Sequence, residues 1–167
     1  MSIAISLKDY LEAREIAFDC VSHRPTTRSL ESAVVSHISA ERVAKAVVLR
    51  HRDGYLMTVV PASRNLNMDD VGGWLQQPVA LATEEEIAPL FPDCAYGAIP
   101  PLGAAYGLRT LVDTELDAQD DIYFEAGDHE TLVHLTGRQF RRLTRNDPHG
   151  RFCARLDVDH DSPYHGA

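Results

Sequence analysis

Two β-rich runs, Ala46 to Arg50 and Tyr55 to Pro61, flank His51-Arg52-Asp53-Gly54. Asp-Gly between two such runs specifies a tight hairpin, and a hairpin fixes which alternate residues share a face. The stretch that enters it, Ser39-Ala40-Glu41-Arg42-Val43-Ala44-Lys45, is a short polar, helix-compatible turn running straight into the first strand. Lys45 therefore stands at the mouth of the hairpin. An ammonium group is costly to bury, so a lysine there either snorkels its stem to water or meets an anion.

The remaining elements are placed around that hairpin. Leu7, Tyr10, Leu11 and Ala17 mark one face of a first helix from Ser6, followed by a short strand at Phe18 to Ser22. Pro25 keeps His23-Arg24-Pro25-Thr26-Thr27 out of helical geometry, and Ser29 is positioned to cap a second helix with Leu30, Ala33, Val34 and His37 on one side. After the hairpin, Asn67 caps a short helix bearing Met68, Val71, Trp74 and Leu75, with Asp69 and Asp70 in its first turn. Pro78 to Ala82 reads as a strand, and Thr83-Glu84-Glu85-Glu86 as a capping box before a helix that Pro92 ends. Strands follow at Leu108 to Asp113, Ile122 to Ala126 and Thr131 to Leu135, with a solvated acidic connection at Thr114 to Asp121. Thr136 and Gln139 open a last helix with Phe140 and Leu143 inward. The order mixes hairpins and helices without strict alternation, which favours a mixed, largely antiparallel α+β architecture. Residues 1–145 are expected to form one domain, and 146–167 a loosely ordered tail.

Charge and cysteine content narrow the function. With a formal net charge of -9, the chain is a poor match for extended phosphate backbone, so DNA is excluded as a partner while a local contact with one nucleic-acid end is not. No apolar run is long enough to cross a bilayer and no secretory leader is visible, so membrane association is not expected. Three widely spaced cysteines, Cys20, Cys94 and Cys153, argue against a disulfide framework and a zinc ribbon, and point to a reducing cytoplasm.

Three pieces stand out as a candidate site. Lys45 is the first. The second is Gly97-Ala98-Ile99-Pro100-Pro101-Leu102-Gly103, where Pro100 and Pro101 stiffen a loop and Gly97 and Gly103 let a ligand approach its backbone. The third is Ala126-Gly127-Asp128-His129, a turn able to offer free N–H groups and an imidazole. Each has a plainer reading: a snorkelling lysine, an ordinary Pro-Pro turn, a hairpin end. His23 and Ser29 are placed at the cleft mouth by the loop before Lys45. Arg138, Arg141, Arg142 and Arg145 form one basic stripe on the last helix, which reads either as a phosphate contact or as a solvated face. His129 and His134 lack partners at ligand spacing, so no metal is expected.

Taken in order, Ala44-Lys45-Ala46-Val47-Val48-Leu49, Asp53-Gly54-Tyr55, Gly97-x-x-Pro100-Pro101-x-Gly103 and Ala126-Gly127 resemble the YbaK-type aminoacyl-tRNA deacylases. That group includes the editing domain inserted in prolyl-tRNA synthetases. The resemblance implies a mixed α/β fold with a central, barrel-like sheet surrounded by helices. It also implies hydrolysis of the ester joining a wrong, small amino acid to the tRNA 3′ acceptor end, in the cytoplasm, in trans to an aminoacyl-tRNA synthetase and without a cofactor. Lys45, Gly127 and His129 would then be catalytic, and His23, Ser29, Gly97, Ile99, Pro100, Pro101, Gly103, Ala126 and Asp128 would contact substrate. Two departures bear on substrate choice: Ala46 follows the lysine where members often have a polar residue, and the loop carries two prolines after Ile99. The rival reading is a non-catalytic binding module that keeps the cleft for an amino acid, a nucleotide or a protein partner.

Overall fold

The hairpin forms as its turn chemistry requires, with β2 (Ala44–His51) and β3 (Gly54–Pro61) paired antiparallel from Ala44↔Pro61 to His51↔Gly54. A computed structural model describes residues 3–154. Before the hairpin come α1 (Ile5–Ala13), β1 (Asp19–Ser22) and α2 (Ser29–Val35); after it come α3 (Met68–Leu75), β4 (Ala80–Leu81), α4 (Glu84–Ile87), β5 (Arg109–Asp113), β6 (Asp121–Glu125), β7 (Thr131–Thr136), α5 (Gly137–Thr144) and β8 (His149–Gly150). The strands make two sheets, one of three strands in the order β1-β7-β6 and one of five in the order β4-β2-β3-β5-β8.

Helix starts follow local chemistry. Asn67 Oδ1 accepts from the amides of Asp69 and Asp70, and full capping boxes form at Thr83 with Glu86 and at Thr136 with Gln139. α2 is the exception: Arg28, not Ser29, occupies its cap position, and no side chain caps it. Ser29 is instead the first helical residue, because the extended chain of the preceding loop runs through Arg28.

The main core lies between the sheets, closed by α1 and α5. Leu7, Leu11, Val48, Met57, Val59, Val112, Ile122, Phe124, Val133 and Phe140 are among its buried residues. Each large side chain sealed this way contributes about 1.5–3 kcal/mol. A second cluster sits on the outer face of the five-stranded sheet, where α3 lays Val71 against Leu49, Leu56, Leu111 and Phe152.

The mixed, largely antiparallel α/β architecture expected from the sequence is the one observed, with β3–β5 and β5–β8 as its parallel pairs; the chain between β3 and β5 crosses over before it returns. The sheets do not close into a barrel: among the described residues they meet through one parallel bridge, Val43 with Tyr123. One expectation needs correction. The expected tail is in part structural. Residues 149–154 run beside β5 and the 65–67 segment, with Phe152 only 1% exposed and the Ala154 amide donating to Asn65 O at 2.8 Å. An apolar ring among charged residues is enough to dock that segment. The rest of the expected tail lies outside the described residues.

Candidate active site

The bridge of Val43 with Tyr123 sets the geometry. Side chains alternate along a strand, so Lys45 and Glu125, each two residues beyond the bridge, project on its side of their respective strands. Ala44, Ala46 and Val48 turn the other way into the main core. Lys45 is half-buried, and among the described residues it forms no ion pair with a carboxylate. Burial lowers its pKa, and nearby Arg28 lowers it further while Cys153 opposes both. Two cations near each other in a partly dry setting favour an anionic ligand.

The loop from His23 to Arg28 joins this cationic end to the two glycine pieces. Its His23 amide donates to Glu130 O at 2.8 Å and its Thr26 amide to His129 O at 3.2 Å. Gly97, at φ +79°, lies against both Thr27 and His129: a Cβ there would stand 3.3 Å from His129 Cε1 and 3.4 Å from Thr27 O. Gly127, at φ +113°, accepts at its carbonyl from the Ala95 amide at 2.8 Å, and a Cβ on it would meet Ala4 at 3.0 Å. Both positions favour glycine for their backbone conformation, and a Cβ at either would have to push a neighbour back by a few tenths of an ångström.

His129 is itself left-handed, at φ 63°, and its Nε2 meets Tyr96 O. Gly97, Gly127, His129 and the His23–Arg28 loop therefore form one group beside the strand ends that carry Glu125 and Ala126. Asp128 is committed to the turn, accepting at Oδ1 from the amides of Glu130 and Thr131 and at Oδ2 from Thr131 Oγ1. Ala126, Pro100, Pro101 and Gly103 are buried, and Ile99 packs against the main core. Gly103 answers a packing demand, since a Cβ there would collide with Thr110 and stand 2.9 Å from Leu108 O.

A residue not expected from the sequence completes the group. Glu125 is 4% exposed, accepts a hydrogen bond from Ser32 Oγ, and faces His23 Nε2 at 3.9 Å. Burial raises its pKa against the opposing pull of Ser32 and His23. The signal available in the sequence was an acid inside an otherwise apolar strand, immediately before Ala126-Gly127.

Burial pushes Cys94 up to about 11 and Cys153 up to about 12, so neither is a thiolate near neutrality. Asp113, Glu115 and Cys153 do bring donor atoms within 4.8 Å of one another beside a cavity of about 420 Å³. That cluster is already satisfied: Asp113 accepts from the amides of Glu115 and Phe152, and Glu115 pairs with Arg64. Arg138, Arg141 and Arg142 on α5 and Arg145 at its C-cap are exposed, and Arg141 donates to Asp117 O at 2.9 Å, which ties the helix to the preceding turn.

Residues 23–143, well over half of the chain, match the model of the aminoacyl-tRNA editing domain. The chain belongs to that family. Within the editing-domain family its curated relatives include the proline-tRNA ligases of Thermosipho melanesiensis and Thermosipho africanus, 32% and 31% identical over 84 residues. Those alignments take in 48% and 49% of this chain but 14% and 15% of the ligases, so this chain matches only a small part of each relative's length. Among solved structures, the hypothetical protein APE2540 superposes with a TM-score of 0.79 at 20% identity, covering 89% of this chain and 99% of that one. A protein described as a candidate trans-editing enzyme for prolyl tRNA synthetase also gives 0.79, at 21% identity, covering 91% and 97%. At such identities these superpositions speak for the editing-domain fold. Among the described residues no helix is long and apolar enough to cross a membrane.

Proposed function

We propose that this editing domain is an aminoacyl-tRNA deacylase acting in trans in the cytoplasm. Its substrate is a tRNA, tRNA-Pro in the first instance, that carries a wrong, small amino acid. The observation that carries the reading is Lys45: a half-buried ammonium with no carboxylate partner among the described residues, at a strand entrance that also holds Arg28. In this role Lys45 and Arg28 receive the terminal phosphate of the acceptor end. Gly127 and Gly97 let backbone amides approach the aminoacyl ester, and His129 orients the attacking water or the ribose. The water oxygen bonds to the ester carbonyl carbon, the bond to the ribose oxygen breaks, and that oxygen takes up a proton. The ester is reactive enough that no enzyme nucleophile is needed, in keeping with the protonated thiols.

Family membership and the description of the trans-editing neighbour support this assignment. Relatedness to proline-tRNA ligases supports tRNA-Pro and its synthetase as the partners. A panel of tRNAs charged with alanine, serine, cysteine, threonine and proline, incubated with the protein, tests it. Release of one small non-cognate amino acid is the expected result; binding of the charged tRNAs without release would make the protein a binding module.

A further inference from the structure

Glu125 ties the 23–32 segment to the strand that ends in the Gly127 turn. Its Oε1 takes the hydrogen bond from Ser32 Oγ, and Ser32 Oγ lies 2.6 Å from Thr26 Oγ1 and 3.2 Å from Arg28 O. On its other side stands His23, whose side chain is fully buried. The strand that ends in the Gly127 turn thereby grips the 23–32 segment at both ends, at His23 and at Ser32.

The proton count in this network is constrained. His23 Nδ1 lies 2.7 Å from Arg24 O, and a carbonyl only accepts, so Nδ1 carries a hydrogen. In a neutral imidazole Nε2 is then a bare lone pair, and it looks at a carboxyl group 3.9 Å away. His23 Nε2 and Glu125 Oε2 are both buried without a hydrogen-bond partner. Two acceptors cannot bond, but with one proton between them they can: either Glu125 carries it and donates to Nε2, or His23 carries it and donates to the carboxylate. The 3.9 Å separation runs from Nε2 to Oε1, the oxygen that also accepts from Ser32, and closing the carboxyl group onto Nε2 from that distance needs a shift of about 1 Å.

We infer that Glu125 is a positioning residue: with His23 it holds one shared proton that latches residues 23–32, and with them Arg28, beside Lys45. The site role of the latch rests on the deacylase reading; the latch itself does not. The charged and titratable groups facing Glu125 are His23 from the loop and His129 and Asp128 from the turn, with Lys45 on the same side of the neighbouring strand. Asp128 raises the affinity of Glu125 for the proton and the two histidines lower it, while burial favours the protonated form overall. When the shared proton leaves, lone pair faces carboxylate in a dry gap, and the segment lets go.

The test uses the full chain labelled with nitrogen-15, from about pH 5 to about pH 9, reading the His23 ring nitrogens and the amide exchange of residues 23–32. In the wild type one ring nitrogen of His23 should report a hydrogen bond at the acid end and lose it at the alkaline end. Exchange of the segment should rise about tenfold beyond the intrinsic pH effect over the same interval. Glu125→Gln carries an amide that both accepts from Ser32 and donates to Nε2 at every pH, so it should abolish that transition and keep the segment protected. Glu125→Ala should lose protection throughout, with Ser32→Ala as a milder substitute if the first fails to fold. A Glu125→Gln protein that follows the wild-type transition, or a wild type with none, overturns the latch. Those readouts need no tRNA, so they stand apart from the charged-tRNA panel. Given a substrate from that panel, Glu125→Ala should raise KM about tenfold with kcat within about twofold. Loss of kcat alone would contradict a positioning role.

Discussion

The outer faces of the two sheets are covered in opposite ways. On the five-stranded sheet, α3 and Phe152 seal Leu49, Leu56, Leu111 and Val71 under apolar contacts, and the cap of that helix is complete. On the three-stranded sheet, the cover is the seven-residue α2, which lacks a side-chain cap, and the loop before it: Ala33 joins a small apolar cluster with Val43 and Tyr123, while Ser32, Thr26 and His23 gather around a buried carboxyl group. The first face gains stability from burial. The second gives some up, since buried polar atoms without partners cost about 1–3 kcal/mol each. Strained or under-satisfied groups are common at functional sites, and His23 Nε2, Glu125 Oε2 and the left-handed His129 are such groups in the candidate site.

If that contrast holds, damage to the two faces should separate stability from activity. Phe152→Ala should have the largest effect, lowering unfolding free energy by about 3–5 kcal/mol in urea while leaving KM for charged tRNA unchanged in the folded fraction. Unchanged stability would mean that the 149–154 segment is not part of the core. On the other face, Glu125→Gln should be more stable than wild type by about 1 kcal/mol at alkaline pH.

The sign of that difference follows from the raised pKa. A carboxyl group whose folded pKa exceeds its ordinary value near 4.5 contributes stability that is complete below 4.5 and is lost as pH rises through the folded value. The gap between Glu125→Gln and wild type should thus close toward pH 4.5 in thermal melts across that range, and a gap that widens toward pH 4.5 would contradict it. Thr136→Ala removes a formed capping box and should cost about 1 kcal/mol. Ser29→Ala removes a hydroxyl that caps nothing and should stay within about 0.5 kcal/mol.

The sequence was most readable where structure is decided locally. Asp53-Gly54 and its flanking runs, Asn67, and the two capping boxes each carry their own hydrogen-bond chemistry within four residues. The parallel pairings β3–β5 and β5–β8 were hidden, because parallel register is set by distant segments and leaves no turn signal. Phe152 was hidden by its company, one aromatic ring among Asp, His, Pro and Gly. Of the candidate site residues, Gly97, Gly127 and His129 could be named from residue type and do lie together in the folded chain. Glu125 left only a faint sign, an acid in an apolar strand, since its meaning depends on His23 and Ser32, which meet it only in the folded chain.

The most direct measurement is single-turnover hydrolysis of a mischarged tRNA by wild type and Lys45→Ala, with urea unfolding run on the same two proteins. The account predicts a loss of at least about a hundredfold in the rate, equal to roughly 2.7 kcal/mol of transition-state stabilisation, with unfolding free energy changed by less than about 1 kcal/mol. A Lys45→Ala protein that turns over like wild type, or one whose lost activity is matched by lost stability, would contradict it.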